Sequence, residues 1–374
     1  MTLLTLDAIT LELVRNGLES IVDDMALTLV RTAYLANLKN AMDLSSAICD
    51  ADMRLVAQGL TLPLRLGSLP DAMEAVRGRY GRDIREGDVY ILNDPYEGGT
   101  HLPDIFLVKP IFLRKELLGY VCTIGHHTDI GGRVAGGNAC DSTEVYQEGL
   151  RLPPLRLYDR GEVNEGFLRL LEKNVRIPTE VLGDLRAQLA ACHIGELGLL
   201  QLVERYGLAT VRAAWAELLE YGERLARAEI ASWPDGRYEF TDYLDDDGID
   251  PGPIPIHVAV TVAGDQLDVD FLGSSPQVRG AISSVLSFTK SAVYACVRCL
   301  MPSMLPNNEG YFRTIRVHAL PGTIVNPLPP APVAARGPTA FRIANAVFGA
   351  PEFLWAGYDA ERHAFVFLEF LFCG

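Results

Sequence analysis

The sequence predicts a mixed α/β (α+β) protein: a helix-and-sheet N-terminal region followed by a second, strand-rich domain. Three observations carry that expectation. The chain opens on a long run with helical spacing of its apolar residues. Short strand-like runs separated by turn residues begin near residue 43. After residue 235 such runs outnumber helical ones.

Within 7–36, Leu11, Val14, Leu18, Ile21, Met25 and Leu29 recur at helical spacing and predict one long amphipathic helix. Residues 43–50 read as a strand, Asp52 as a turn, and 54–59 as its hairpin return. Leu69 to Tyr80 predicts a second helix. Val89–Leu92 is a short apolar strand that stops at Asn93-Asp94-Pro95, a turn signal. Ile105 to Leu113 and Leu117 to Ile124 predict two strands around the polar turn Arg114-Lys115-Glu116. The glycine-rich stretch from Gly131 to Gly149 reads as an ordered surface loop. Residues 180–232 predict two helices broken near Tyr206-Gly207.

The domain boundary falls at 235, giving regions 1–235 and 236–374. Strands are predicted at 238–243, 256–262 and 266–271, a helix at 284–299 and a strand at 314–319. Phe365 to Phe372 is a last apolar, strand-like run. An uncovered edge of that kind is an aggregation hazard, so it is expected to be buried or to continue into another chain or domain.

A length of 374 residues suits two or three domains, and 49% hydrophobic residues suffice for a large core. The net charge of −15, from 33 basic and 48 acidic residues, argues against nucleic acid as a partner. No apolar run approaches about 18 residues and no basic-then-apolar leader opens the chain, so neither a membrane span nor a signal peptide is expected. Seven irregularly spaced cysteines point to reduced thiols in a cytoplasmic setting, and Cys296-Val297-Arg298-Cys299 falls inside a helical stretch, where buried structural thiols are expected.

The chemistry concentrates between Asn93 and Asp129. His101 and Asp104 flank Leu102-Pro103, and the proline stiffens the loop so that both side chains could converge on one ion. His126 and His127 end a strand. Neighbours on a regular strand point to opposite faces, so at most one is a metal ligand. The other, with Asp129, would orient ligands or relay a proton. Asp43 is a possible fourth ligand from a separate hairpin. Two imidazoles and two carboxylates suit zinc, manganese or iron. The bland alternative, polar loop residues capping turns, is weakened because three of the seven histidines fall within 27 residues beside Asp104 and Asp129.

HExxH, GxxxxGK[ST] and GxSxG are all absent, so no zincin, P-loop or α/β-hydrolase motif is present. Asp245-Asp246-Asp247-Gly248 lacks the later ligand positions of a calcium loop and reads as a hairpin turn. Glu144 and Glu148 are further, weaker candidates for polarising water. Arg336 reads as a structural arginine that could instead face an anion.

The strings NDPYEGGTHLPDIFLVKPIF, GHHTDIGG, EGLRLPPLRLYDRG, GDLRAQLAA and the block from Pro306 to Thr339 resemble the hydantoinase B/oxoprolinase family. The match is collinear over nearly the whole chain. The resemblance implies Asp43, His101, Asp104 and His126 as ligands of a divalent metal. It also implies a hetero-oligomer in which a hydantoinase A-type partner binds ATP and phosphorylates a hydantoin, lactam or 5-oxoproline-like ring. Metal-bound water would then attack the activated carbon, with His127 or Asp129 taking its proton. Two other roles remain open on the residues alone: a subunit of an ATP-dependent ketone carboxylase, or a non-catalytic scaffold. Family members usually continue past the end of this chain, which suggests truncation.

Overall fold

A computed structural model describes residues 6–59, 65 and 67–350. The expected strand at Phe365–Phe372 lies outside the described residues.

Helix α1 (Ala8–Thr32) starts where the Asp7 carboxylate accepts the Thr10 N–H at 2.9 Å, an N-cap of the ordinary kind. It ends at Thr32, short of the expected 36, and a single-turn helix α2 (Ala36–Lys39) follows. Strands β1 (Leu44–Asp50) and β2 (Leu55–Gln58) form the expected hairpin. Helix α3 (Leu69–Tyr80) and strand β3 (Val89–Leu92) have the predicted bounds. Strands β4 (Asp104–Leu113) and β5 (Glu116–His126) pair antiparallel, each running slightly beyond the apolar run that predicted it.

Strands β6 (Leu155–Asp159) and β7 (Glu162–Val163) and helix α4 (Glu165–Asn174) were not expected; Asn164 caps that helix through the Phe167 N–H. Helices α5 (Pro178–Tyr206) and α6 (Leu208–Ile230) are separated at Gly207, whose φ of +84° only glycine adopts readily. Strands β8 (Gly236–Asp246), β9 (Pro251–Ala263) and β10 (Gln266–Asp270) form a meander. Helix α7 (Leu286–Leu300) and the short α8 (Glu309–Phe312) then lead to β11 (Ile315–His318) and α9 (Gly337–Gly349).

The larger sheet has the order β2-β1-β5-β4-β3-β6-β7, antiparallel throughout. The smaller is β11-β10-β9-β8, where α7 provides the crossover that lets β11 run parallel to β10.

Both faces of the large sheet are buried, and the period of two along β4 assigns its side chains. Ile105 and Leu107 join the core formed with α1 and α5; Phe106 and Val108 join the core shared with α3, α7 and the small sheet. The strand-rich region therefore packs directly on the first region. Helices α1 and α5 approach closely at Gly195 and Gly198, where an added Cβ would lie 2.5 Å from Met25 Sδ and 2.8 Å from Ile21 Cγ1. No described helix is long and apolar enough to cross a membrane.

Candidate metal centre

The loop from Asn93 to Pro103 is shaped by its own polar groups. Asn93 Nδ2 donates to Leu102 O at 2.8 Å and Leu150 O at 3.0 Å, while its Oδ1 accepts the Leu152 N–H at 2.7 Å. Asp94 Oδ1 accepts the Tyr96 N–H, an Asx-type turn. Gly99 lies so close to the Asn93 carbonyl that any side chain there would collide with backbone. These constraints aim His101 back toward the start of β4.

Strand register supplies the rest. Asp104, first in β4, is the register partner of His126, last in β5. The His126 N–H bonds the Asp43 carbonyl at 3.1 Å, so Asp43 sits beside it at the head of β1. His101 Nδ1 lies 3.2 Å from Asp104 Oδ2, and His126 Nδ1 lies 3.2 Å from Asp104 Oδ1 and 3.7 Å from Asp43 Oδ2. One donor atom from each of His101, Asp104 and His126 falls within 4.8 Å of the others. His101 and Asp104 are buried.

Two arginines share this cluster. Arg65, almost wholly buried, pairs with Asp43 and donates to Asp104 Oδ1 at 2.8 Å. Arg336 Nη2 donates to Asp104 Oδ2 at 2.9 Å and to Thr100 Oγ1 at 3.3 Å, with its guanidinium 4.0 Å from the centre of the Phe288 ring. The Thr100 hydroxyl also donates to Asp104 Oδ2, at 2.5 Å. Arg336 is thus bonded within the cluster. Arg65 and Thr100 carried no recognisable signal in the sequence, because their partner is fixed only by folding.

Burial by itself would raise the Asp104 carboxyl, but the Arg65 guanidinium and then His101 hold it well below the usual carboxylate range. Burial, helped by the Arg336 charge, pushes the His101 imidazole well below its ordinary value. The cluster at neutral pH therefore offers an anionic carboxylate and a neutral imidazole, the protonation states of metal ligands. His101 Nδ1 is buried and, although near Asp104, has no hydrogen bond of good geometry. This donor set fits a divalent ion, which would share Asp104 with the two arginines.

The other expected site residues lie elsewhere. His127 turns to the opposite side of the sheet, where it is fully buried and its Nε2 sits 2.8 Å from Gln188 Oε1 on α5. Asp129 accepts the Gly131 N–H at 3.0 Å and pairs with the Arg176 backbone and guanidinium. Their side-chain hydrogen bonds run to Gln188, Gly131 and Arg176, not to the four clustered residues. Glu144 is exposed, whereas Glu148 is buried. The Asp245–Gly248 stretch is a turn between β8 and β9, with Asp247 Oδ1 accepting the Ile249 and Asp250 N–H groups. Cys296 is buried and Cys299 half-buried, both as free thiols.

A family model described as hydantoinase B/oxoprolinase matches residues 7–366. The chain is 40% identical over 329 residues to the beta subunit of the caprolactamase of Pseudomonas jessenii, covering 88% of this chain and 56% of that protein. It is 34% identical over 358 residues to the B-type subunit of a putative D-/L-hydantoinase of a Pseudomonas species, covering 91% and 60%. It thus spans a little under two thirds of these relatives. The crystal structure of the ATP-dependent caprolactamase from Pseudomonas jessenii superposes with a TM-score of 0.90 at 38% identity, covering 96% of this chain and 62% of that one. Nucleotide-free acetone carboxylase gives 0.86 at 17% identity, covering 96% and 49%, a likeness of fold alone.

Proposed function

The chain belongs to the hydantoinase B/oxoprolinase family, and on that premise we propose that it is the metal-bearing subunit of an ATP-dependent cyclic amidase. Its substrate would be a hydantoin, lactam or 5-oxoproline-like ring. A hydantoinase A-type partner would hold ATP and phosphorylate the ring carbonyl oxygen, in the cytoplasm. Region 1–235 would carry the metal ligands, and the strand-rich region 236–374 would add Arg336 to them. The observation that carries this reading is the convergence of His101, Asp104 and His126, with Asp43 beside them, at the ends of three adjacent strands.

A ring amide is a poor electrophile, and phosphorylation of its oxygen makes a leaving group at the cost of ATP. The residues of this chain suit the step that follows. A zinc, manganese or iron ion held by Asp43, His101, Asp104 and His126 would supply Lewis acidity and a water of lowered pKa. Arg65 and Arg336 fix the Asp104 carboxylate on both of its oxygens and bring positive charge to the place where a phosphorylated substrate would arrive. Sheet strands hold three of the four groups or their immediate neighbours, which limits their movement. The carboxylase reading has a likeness of fold behind it and nothing at this site that favours it over the amidase.

The test is elemental analysis of the purified chain, wild type beside His101→Ala, followed by ring-opening assays with the co-expressed partner and ATP. About one equivalent of zinc, manganese or iron, lost in the variant, together with ATP-dependent opening of hydantoin or caprolactam, is the expected result. A metal-free wild type after reconstitution would overturn the metal-centred reading and favour a scaffold role.

A further inference from the structure

Glu148 is a buried carboxyl outside the ligand cluster. Its Oε1 accepts the Val333 and Ala334 N–H groups at 2.7 and 2.9 Å, which fixes the plane of the group. Its Oε2 is buried with no hydrogen-bond partner. A bare carboxyl oxygen in the interior calls for an explanation, and among the described residues no cation is paired with it.

Three relationships tie Glu148 to the cluster. The loop that bears it rests on the ligand loop: a Cβ on Gly137 would lie 3.4 Å from Pro103 Cγ and 3.8 Å from Glu148 O. The turn it holds at Val333-Ala334 leads within two residues to Arg336, which is bonded to Asp104 and whose charge reaches Glu148. Tyr96 of the ligand loop packs beside Val333, and its hydroxyl donates to Ala331 O at 2.5 Å. Beside them Val285, Phe288, Val333 and Ala340 form a small buried apolar cluster with Tyr96 packed against it. The other charged groups facing this corner are Arg151 and Asp94, which pair with each other next to Tyr96.

We propose that Glu148 is the acid that delivers a proton to the ring nitrogen when the amide C–N bond opens. This rests on the amidase reading, with ATP on the partner as phosphoryl donor. Addition of water across the phosphorylated C=N group leaves a carbon bearing hydroxyl, phosphate and ring nitrogen. If phosphate departs, the ring amide re-forms and ATP is wasted. If the C–N bond breaks, its electron pair goes to nitrogen, which takes the proton of Glu148. The carbon's hydroxyl becomes a carbonyl and returns its proton to the Glu148 carboxylate, and a second water later releases phosphate. Proton delivery to nitrogen therefore decides between ring opening and futile turnover. Burial pushes the Glu148 carboxyl up to about 7, against the pull of the two N–H groups and Arg336, so it holds a transferable proton near neutrality.

The experiment compares wild type, Glu148→Gln and Glu148→Ala in the assembly with the ATP-binding partner, using caprolactam and hydantoin. Glutamine keeps the acceptor for Val333 and Ala334 but has no acidic proton. The ratio of ring-opened product to phosphate released, and its pH profile, are measured. In Glu148→Gln the ratio is expected to fall about 100-fold or more, and the loss of ring opening above pH 7 expected of wild type should be absent. A wild-type ratio and pH profile in Glu148→Gln overturn the role while leaving the amidase reading intact. A defect in Glu148→Ala that Glu148→Gln fully restores makes Glu148 a loop anchor and overturns it too. A wild-type assembly that opens no ring amide removes the amidase reading and this role together.

Discussion

Asp104 and His126 are register partners at the first position of β4 and the last of β5, and their side chains meet 3.2 Å apart. The pairing also settles which of two adjacent histidines faces the cluster, because a strand sends neighbours to opposite faces. His126→Ala should therefore abolish metal binding. His127→Ala should retain the metal and instead cost about 1–3 kcal/mol, because the buried Gln188 Oε1 loses its partner. Elemental analysis and denaturant unfolding of both variants check this; equal metal loss in the two would refute it.

Asp129 serves the fold through the Gly131 and Arg176 N–H groups. Asp129→Ala should lower stability by about 1–3 kcal/mol, mostly from the orphaned N–H groups, since the Arg176 side chain is 42% exposed and its ion pair is screened. Its metal content should match wild type, and a metal-free but fully stable variant would contradict the assignment.

Glu148 links stability to pH. Its carboxyl is raised from 4.5 to about 7 in the folded protein. The folded state therefore binds the proton more tightly than the unfolded chain, and that stabilisation is complete below pH 4.5 and lost as pH rises through 7. Glu148→Gln should gain stability relative to wild type between those limits, by at most about 3 kcal/mol. Chemical denaturation at pH 5 and pH 8 measures the difference, and a pH-independent difference would count against the buried neutral acid.

Two glycines should respond in opposite directions. Gly195→Ala places a methyl 2.5 Å from Met25 Sδ where α5 crosses α1, and should destabilise by about 1 kcal/mol or more. Gly78→Ala, in the exposed part of α3 with open space around it, should stabilise by about 0.5–1 kcal/mol. Thermal unfolding of the pair tests the packing of α1 on α5.

The sequence alone determined the elements whose physics is local. The apolar spacing from Leu69 to Tyr80, the Asn93-Asp94-Pro95 stop after β3 and the break at Gly207 all reappear in the structure. Helix α4 went unread because it is only 10 residues long, too short for its apolar spacing to repeat more than twice, and α9 because proline and glycine dominate the approach to it. His101, Asp104 and the His126-His127 pair were legible because scarce histidines sit beside turn residues and strand ends, Asp43 was legible as a possible neighbour, and the family resemblance singled out His126. Only the tertiary structure decided that Arg65 and Arg336, 39 and 232 residues from Asp104, bond to it, and that the side chains of His127 and Asp129 bond to Gln188 and to Gly131. Strand periodicity could say that His126 and His127 diverge, but not which face holds the cluster. That depends on which layer packs on each side of the sheet, a relation between segments distant in the chain.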